Sequence, residues 1–164
     1  MNKSQVIADL STLLGESAVI AEGSQMAVFL NEPRKRFHVE AAAVARPGDV
    51  GQVQAICRWA NDRRVPLIPQ GGNTGLVGAQ VPLNGDEVIV SLQRLDRVRE
   101  VNAAAGHMTL EAGVILQHAH EIAEAEGAMF PLWIASQGSA QIGGILATNA
   151  GGVQVLAYGN AREL

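Results

Sequence analysis

Apolar positions recur at helical spacing from the start of the chain. Val6, Ile7, Leu10, Leu13 and Leu14 share one face of the stretch from Ser4 to Leu14, and Gly15 stops it. Residues 16–37 are mixed and predict no clear element. Glu40 to Ala45 is small and apolar, and predicts a strand that ends at Arg46-Pro47. Asp49 stands where a helix N-cap is needed. Val50, Val53, Ile56 and Ala60 then repeat at the helical period, with Trp59 at the edge and Arg63-Arg64 closing the helix. Val65 to Pro69 predicts the next strand, so the three elements read as a βαβ unit with parallel strands. Asn84-Gly85-Asp86 predicts a turn and Glu87 to Leu92 a third strand.

The pattern changes near Arg97. Val98 to Asn102 and Met108 to Ala112 predict short strands, joined through Ala104-Ala105-Gly106 as a hairpin. Val114 to Glu126 predicts a helix with Ile115, Ala119, Ile122 and Ala123 on its buried side, closed by Gly127. A boundary near residues 93–97 gives a first lobe over 1–95 and a second over 96–164.

Two stretches interrupt this pattern. The run from Val65 to Gly78 passes from an apolar strand into Gln70-Gly71-Gly72-Asn73-Thr74-Gly75-Leu76-Val77-Gly78. Glycine tolerates positive φ and has no Cβ, so such a loop can point successive N–H groups into one concave space. That suits a phosphate or pyrophosphate at the carboxyl end of a parallel strand. The loop lacks the Lys of the mononucleotide loop, and its adjacent glycines do not fit G-x-G-x-x-G. A plain tight turn is the alternative. The second stretch, Gly138 to Gly152, is small and polar, with few side chains large enough to fill a core. Together the two suggest walls that let something flat or charged approach backbone, or else a pair of irregular connections.

Composition narrows the choice. Of 164 residues 48% are hydrophobic but only 4% aromatic, so the core must be aliphatic. At 17% charged the chain does not read as disordered. A net charge of -4 argues against nucleic acid as the main partner. Arg34-Lys35-Arg36 reads as a solvated loop or a phosphate contact. Cys57 is the single cysteine, so no internal disulfide forms; within a helix it reads as a buried, inert thiol. No apolar signal core or membrane span is visible, which makes the cytoplasm the default location. Of the four histidines, His38, His107, His118 and His120, the last two would diverge on a helix, and no metal site is expected. Glu121, Glu124 and Glu126 read as a solvated face. Gly138-Ser139 is not a nucleophile elbow, and no acid–base pair stands out.

Both glycine-rich stretches resemble the flavin-binding motifs of the FAD-linked oxidase family with the vanillyl-alcohol-oxidase or p-cresol-methylhydroxylase (PCMH) type fold. The likeness covers roughly residues 40–164 and is nearest to the D-2-hydroxyglutarate dehydrogenase, D-lactate dehydrogenase and glycolate oxidase group. Arg46-Pro47 before a capped helix and Tyr158-Gly159 after the second motif agree with it. The resemblance implies an α+β FAD-binding domain of two α/β lobes, a small parallel-stranded N-terminal lobe and a mainly antiparallel second lobe that is incomplete here. It implies FAD held by the N–H groups from Gly71 to Gly75, with Leu76 and Val77 in the same loop. Thr74 would add a hydroxyl, and Gln70 and Asn73 polar contacts. Gly138, Ser139, Ile142, Gly143, Gly144, Asn149 and Gly152 would form an opposite wall. Covalent members often carry a histidine in the first loop; Asn73-Thr74 stands there instead, which implies non-covalent FAD. Trp133 and Ile145 depart from the family, where a small or acidic residue and Asn are usual.

Family members run to several hundred residues, and their catalytic and substrate-binding groups lie in the C-terminal part. The chain therefore reads as an N-terminal fragment, inactive alone, with no catalytic residue of its own. Its parent would oxidise a D-2-hydroxy acid to a 2-oxo acid by hydride transfer to flavin N5 and pass electrons to an acceptor. An oxidase of the same fold acting on another alcohol or an aldonolactone is the alternative. A non-catalytic nucleotide-binding or interaction module is another, and a plain scaffold with glycine turns a third. A homodimer is compatible with the sequence, and an exposed sheet edge would favour association.

Overall fold

The computed structural model describes residues 1–37 and 40–164, so His38 lies outside the described residues. The chain divides into two compact units, Met1–Arg94 and Leu95–Leu164.

The first unit begins with α1 (Lys3–Leu14), which starts in a capping box. The Asn2 side chain accepts from Gln5 N at 2.9 Å, and the Gln5 side chain accepts from Asn2 N. Its apolar stripe buries Val6 and Leu10, while Leu13 stays partly in water. After a 3-10 turn come β1 (Val19–Ile20) and α2 (Gly23–Leu30). The sequence pattern left both unassigned. β1 is only two residues long, and α2 has no side-chain N-cap bond.

β2 (Ala43–Ala45) is shorter than the predicted strand, but Ala41 and Ala42 are buried beside it. α3 (Val50–Arg63) follows, with Asp49 Oδ1 accepting from Gln52 N at 2.8 Å. Arg64 ends it in the left-handed region at φ 55°. Ile56 and Ala60 face the core. Trp59 packs beside them and donates Nε1–H to Asp9 Oδ2 at 2.9 Å, which ties α3 to α1. Three expectations fail on this helix. Val50 is exposed, Val53 is half-buried and Cys57 is exposed. Successive helix positions differ by about 100°. The residue after core-facing Ile56 therefore turns to solvent.

β3 (Leu67–Gln70) and β4 (Val88–Ser91) complete a sheet of order β1-β2-β4-β3. The predicted βαβ strands are parallel but not neighbours, because β4 lies between them and is parallel to both. β1 adds an antiparallel edge. All four β4 residues are buried, as a central strand covered on both faces requires. One core cluster joins Val6, Leu10, Ile56, Ala60, Val88 and Val90; another joins Ile20, Met26, Val44 and Ile89. Each fully buried aliphatic side chain here is worth about 1.5–3 kcal/mol of transfer free energy.

The second unit opens with an antiparallel hairpin, β5 (Val98–Asn102) and β6 (His107–Leu110). A 3-10 turn over Ala103–Ala105 and left-handed Gly106 connect them. α4 (Leu116–Ala125) buries Leu116, Ala119, His120 and Ala123. The expected buried side is thus corrected. Ile115 is the extended N-cap and is exposed, and Ile122 is half-buried. Glu121, Glu124 and Glu126 are exposed. α5 (Ile142–Ala147) and α6 (Val155–Tyr158) are short. The core gathers Val114, Leu116, Ala119, Leu132, Ala140, Ile142 and Ile145. The second glycine-rich stretch is therefore not core-poor, since three of those residues belong to it.

Candidate functional site

In the first unit the glycine loop leaves the carboxyl end of β3. It is braced by amide side chains. Gln70 is 2% exposed, and its Nε2 donates to Phe29 O at 3.0 Å and Gln80 O at 3.3 Å. Its amide nitrogen is turned into the protein, so Gln70 braces the loop from beneath. Gln80 Nε2 donates back to Gly75 O at 2.7 Å. Asn73 adopts φ 54° and donates Nδ2–H to Asn31 O at 2.9 Å. At the far end, Leu83 N, Asn84 N and Asn84 Nδ2 donate to the buried Glu87 carboxylate. Burial alone would raise the Glu87 pKa, but these bonds hold it below the usual carboxylate value.

The glycines in this loop have steric reasons. A Cβ on Gly75 would lie 2.7 Å from Gln80 Oε1. Gly78 has φ +84°, and a Cβ there would lie 2.9 Å from Phe37 Cζ. Among the described residues, the backbone N–H groups from Gly71 to Val77 have no protein acceptor. Gly71, Gly72, Asn73 and Thr74 are half-buried, while Gly75, Leu76 and Val77 are exposed. The loop is thus a half-sheltered row of donors at the end of a parallel strand.

In the second unit the glycine segment is knitted to the strand end at 111–114. Ile142 N donates to Val114 O at 2.9 Å and Gly143 N to Ala112 O at 2.8 Å. Leu116 N donates to Ala140 O, and Ile115 bridges Gln141. Gly143 packs so closely that a Cβ would lie 2.7 Å from Ala112 Cβ. Gly152 sits against the Trp133 carbonyl, which also accepts from Val153 N at 3.0 Å. The N–H groups of Ser139, Ile142, Gly143 and Asn149 are all spent inside the protein. Asn149 (φ 50°) uses Oδ1 to accept from Arg162 N at 3.1 Å. Gly138, Gly144 and Gly152 keep N–H groups without a protein acceptor among the described residues.

Two features behind this segment escaped sequence reasoning. Glu111 is 4% exposed, accepts Arg97 N, and pairs with Arg97 at 3.0 Å and Arg99 at 2.9 Å. Hydrogen bonds from the Arg97 and then the Arg99 side chain hold its carboxyl down at about 2. The pair thereby fixes the strand end whose carbonyls receive Ile142 and Gly143. The alternation of Arg97 and Arg99 on one face of a strand, opposite Glu111, was the available signal. Buried His120 stacks on Trp133 at 4.3 Å and donates Nε2–H to Leu132 O at 2.9 Å. Its Nδ1 is buried and has no hydrogen-bond partner among the described residues. His118, two positions away, faces water beside Glu121, so the two histidines diverge.

A groove of about 260 Å³ in this unit, lined by Val101, Met108, Ala123, Met129, Phe130 and Leu164, includes no glycine-segment residue. Among the described residues no cluster of three His, Cys, Asp or Glu could hold a metal, and no helix is long and apolar enough to cross a membrane.

Residues 41–164 match the family described as FAD binding domain. A D-2-hydroxyglutarate dehydrogenase of Xanthomonas citri pv. viticola is 44% identical over 129 residues, 79% of this chain and 27% of that protein. One of Stutzerimonas stutzeri is 37% identical over 99% of this chain and 35% of its own length. The chain therefore spans about a third of the curated relatives it matches. Among solved structures, alkyldihydroxyacetonephosphate synthase superposes with a TM-score of 0.83 at 18% identity, over 96% of this chain and 31% of that one. p-Cresol methylhydroxylase gives 0.77 at 18% identity, over 90% and 29%. At that identity the likeness speaks for the fold, which is the PCMH type. With the family matched over most of its length, this chain belongs to the FAD-binding domain family and takes FAD as its cofactor.

Proposed function

We propose that the chain is the cofactor-binding part of a flavin-dependent dehydrogenase that oxidises a D-2-hydroxy acid to the 2-oxo acid. The observation that carries the reading is the row of N–H groups from Gly71 to Val77, unpartnered among the described residues, at the carboxyl end of β3. A pyrophosphate fits such a row, because several backbone donors satisfy a dianion without burying cations. Gly75 and Gly78 let the loop close against Gln80 and Phe37, where a Cβ would collide. The Thr74 hydroxyl adds a donor beside them. Within the second unit, Gly138, Gly144 and Gly152 keep N–H groups without a protein acceptor among the described residues, and Ser139, Ile142, Gly143 and Asn149 shape the segment that carries them.

When bound, a flavin supplies a two-electron acceptor whose N5 takes hydride from the substrate carbon. This chain's part is to bind and orient. It holds the cofactor non-covalently, since the loop from Gln70 to Gly78 offers no His, Cys or Tyr for attachment. The relatives named D-2-hydroxyglutarate dehydrogenase support a hydroxy-acid substrate. Turnover needs groups outside these two lobes, so the chain alone binds flavin and does not oxidise hydroxy acids.

The test is an absorption spectrum after incubation with FAD and desalting, with intact mass on the same sample. A flavin spectrum at the mass of this chain, released by acid precipitation, supports non-covalent binding. A colourless chain whose fold is intact by circular dichroism would overturn the cofactor role of these residues. Turnover of D-2-hydroxyglutarate by the pure chain would overturn the division of labour.

A further inference from the structure

The first unit carries a cluster of cations that the flavin reading does not use. Glu32, Arg34, Lys35, Arg36 and Phe37 form a strap packed on the glycine loop. Glu32 is 4% exposed, and its carboxylate accepts Arg34 N at 2.9 Å and Arg36 N at 2.7 Å. Its backbone carbonyl accepts Lys35 N at 3.0 Å. Lys35 takes φ 50°, so the strap turns sharply and shows all three basic residues to solvent.

Two contacts flank the basic triplet and fasten it to the loop. On one side Asn31 O accepts Asn73 Nδ2–H at 2.9 Å. On the other the Phe37 ring lies over Gly78. The strap is thus seated on the segment whose N–H groups are unpartnered. Among the described residues, no carboxylate pairs with the Arg34, Lys35 or Arg36 side chains. Glu32, the acid within the strap, has both oxygens committed to backbone N–H groups. Three exposed cations held side by side repel one another, and a chain of net charge -4 has acids enough to neutralise them. Leaving them unpaired beside a row of donors suits an anion that arrives from outside.

We infer that the Arg34-Lys35-Arg36 strap is an electrostatic half of the pyrophosphate site. The loop N–H groups supply short, directional bonds. The strap supplies screened positive charge that draws the dianion in and holds it. The inference rests on the flavin reading and adds residues that precede the matched family region, which starts at residue 41.

The experiment compares the wild-type chain with R34Q/K35Q/R36Q by FAD titration at low and high salt. Riboflavin, which has no phosphate, serves as the uncharged probe. K3Q/R58Q/R64Q removes the same charge elsewhere in the unit as a control. Loss of the strap should weaken FAD about tenfold near 20 mM salt and about twofold or less near 0.5 M, because screening shortens the reach of exposed charges. Riboflavin affinity, the melting temperature and the control variant's FAD affinity should stay unchanged. Equal FAD affinity in wild type and strap variant at low salt would overturn the inference while leaving the flavin reading intact. Equal weakening of FAD and riboflavin would also overturn it, since the strap would then act through loop structure alone. A wild-type chain that binds neither probe would overturn both.

Discussion

Gly143 and Gly144 are neighbours on α5, and the structure predicts opposite outcomes for the same substitution. At Gly143 a methyl would meet Ala112 Cβ at 2.7 Å, its carbonyl oxygen at 3.1 Å and its Cα at 3.3 Å. Two of those atoms are backbone in a strand end held by the buried Glu111 pair, so they cannot step aside cheaply. The helix start must move instead, which breaks the 2.8 Å bond from Gly143 N to Ala112 O. Forcing the methyl in costs about 1–3 kcal/mol. The lost hydrogen bond adds about 1 kcal/mol. Replacing glycine by alanine in a helix returns about 0.5–1 kcal/mol. Gly143→Ala should therefore destabilise by about 2 kcal/mol, or lower Tm by roughly 4–8 °C. At Gly144 nothing lies within 4 Å, so Gly144→Ala keeps only the helix term and gains up to about 1 kcal/mol. Urea unfolding of the two apo variants measures the difference. Equal stability would refute the claim that Gly143 is fixed by close approach to Ala112.

Two further outcomes follow from the same packing. Glu111→Gln should destabilise the chain near neutral pH. Because the folded-state pKa lies at about 2 against an ordinary 4.5, the carboxylate's contribution is complete above 4.5 and fades as pH falls toward 2. The Tm gap between wild type and variant should close across that window, and a gap that stays constant would remove the carboxylate charge as its cause. Gln70→Leu keeps the volume but strands the Phe29 and Gln80 carbonyls, costing about 2 kcal/mol. It should also speed FAD release in a stopped-flow dilution, and an unchanged rate would show that the amide brace does not reach the loop.

Much of this was legible in the chain itself, for local reasons. Asp49 ahead of the apolar repeat announced a capped helix, and that spacing placed Ile56 and Ala60 inward. The glycine spacing after Val65–Pro69 announced a donor-rich loop. What stayed hidden depends on tertiary contact. β1 and α2 are too short for a periodic signal, and they are held by pairing with β2 and by packing of Met26. Gln70 looks like a polar loop residue until Phe29 and Gln80 close around it. Cys57 and Ile115 each sit one step from a core-facing position, a distinction that composition cannot draw. The basic strap meets the loop through Asn31 and Asn73, which are far apart along the chain.

The position of β4 between β2 and β3 also sets an order in time. β3 finds its hydrogen-bonding neighbour only in Val88–Ser91, after the whole glycine loop has been traversed. A chain emerging residue by residue can raise α1, β1, β2 and α3, but Leu67–Gln70 must wait without a ladder. Non-local parallel pairing of this kind is slow, because a long loop must close before any contact rewards it. The topology predicts that the seating of β4 comes last in assembling the first unit, and that this event draws the two ends of the cofactor loop together. Nascent chains paused before Val88 should lack an ordered cofactor loop, and protection of Leu67–Gln70 from hydrogen exchange should appear in one step as the central strand arrives.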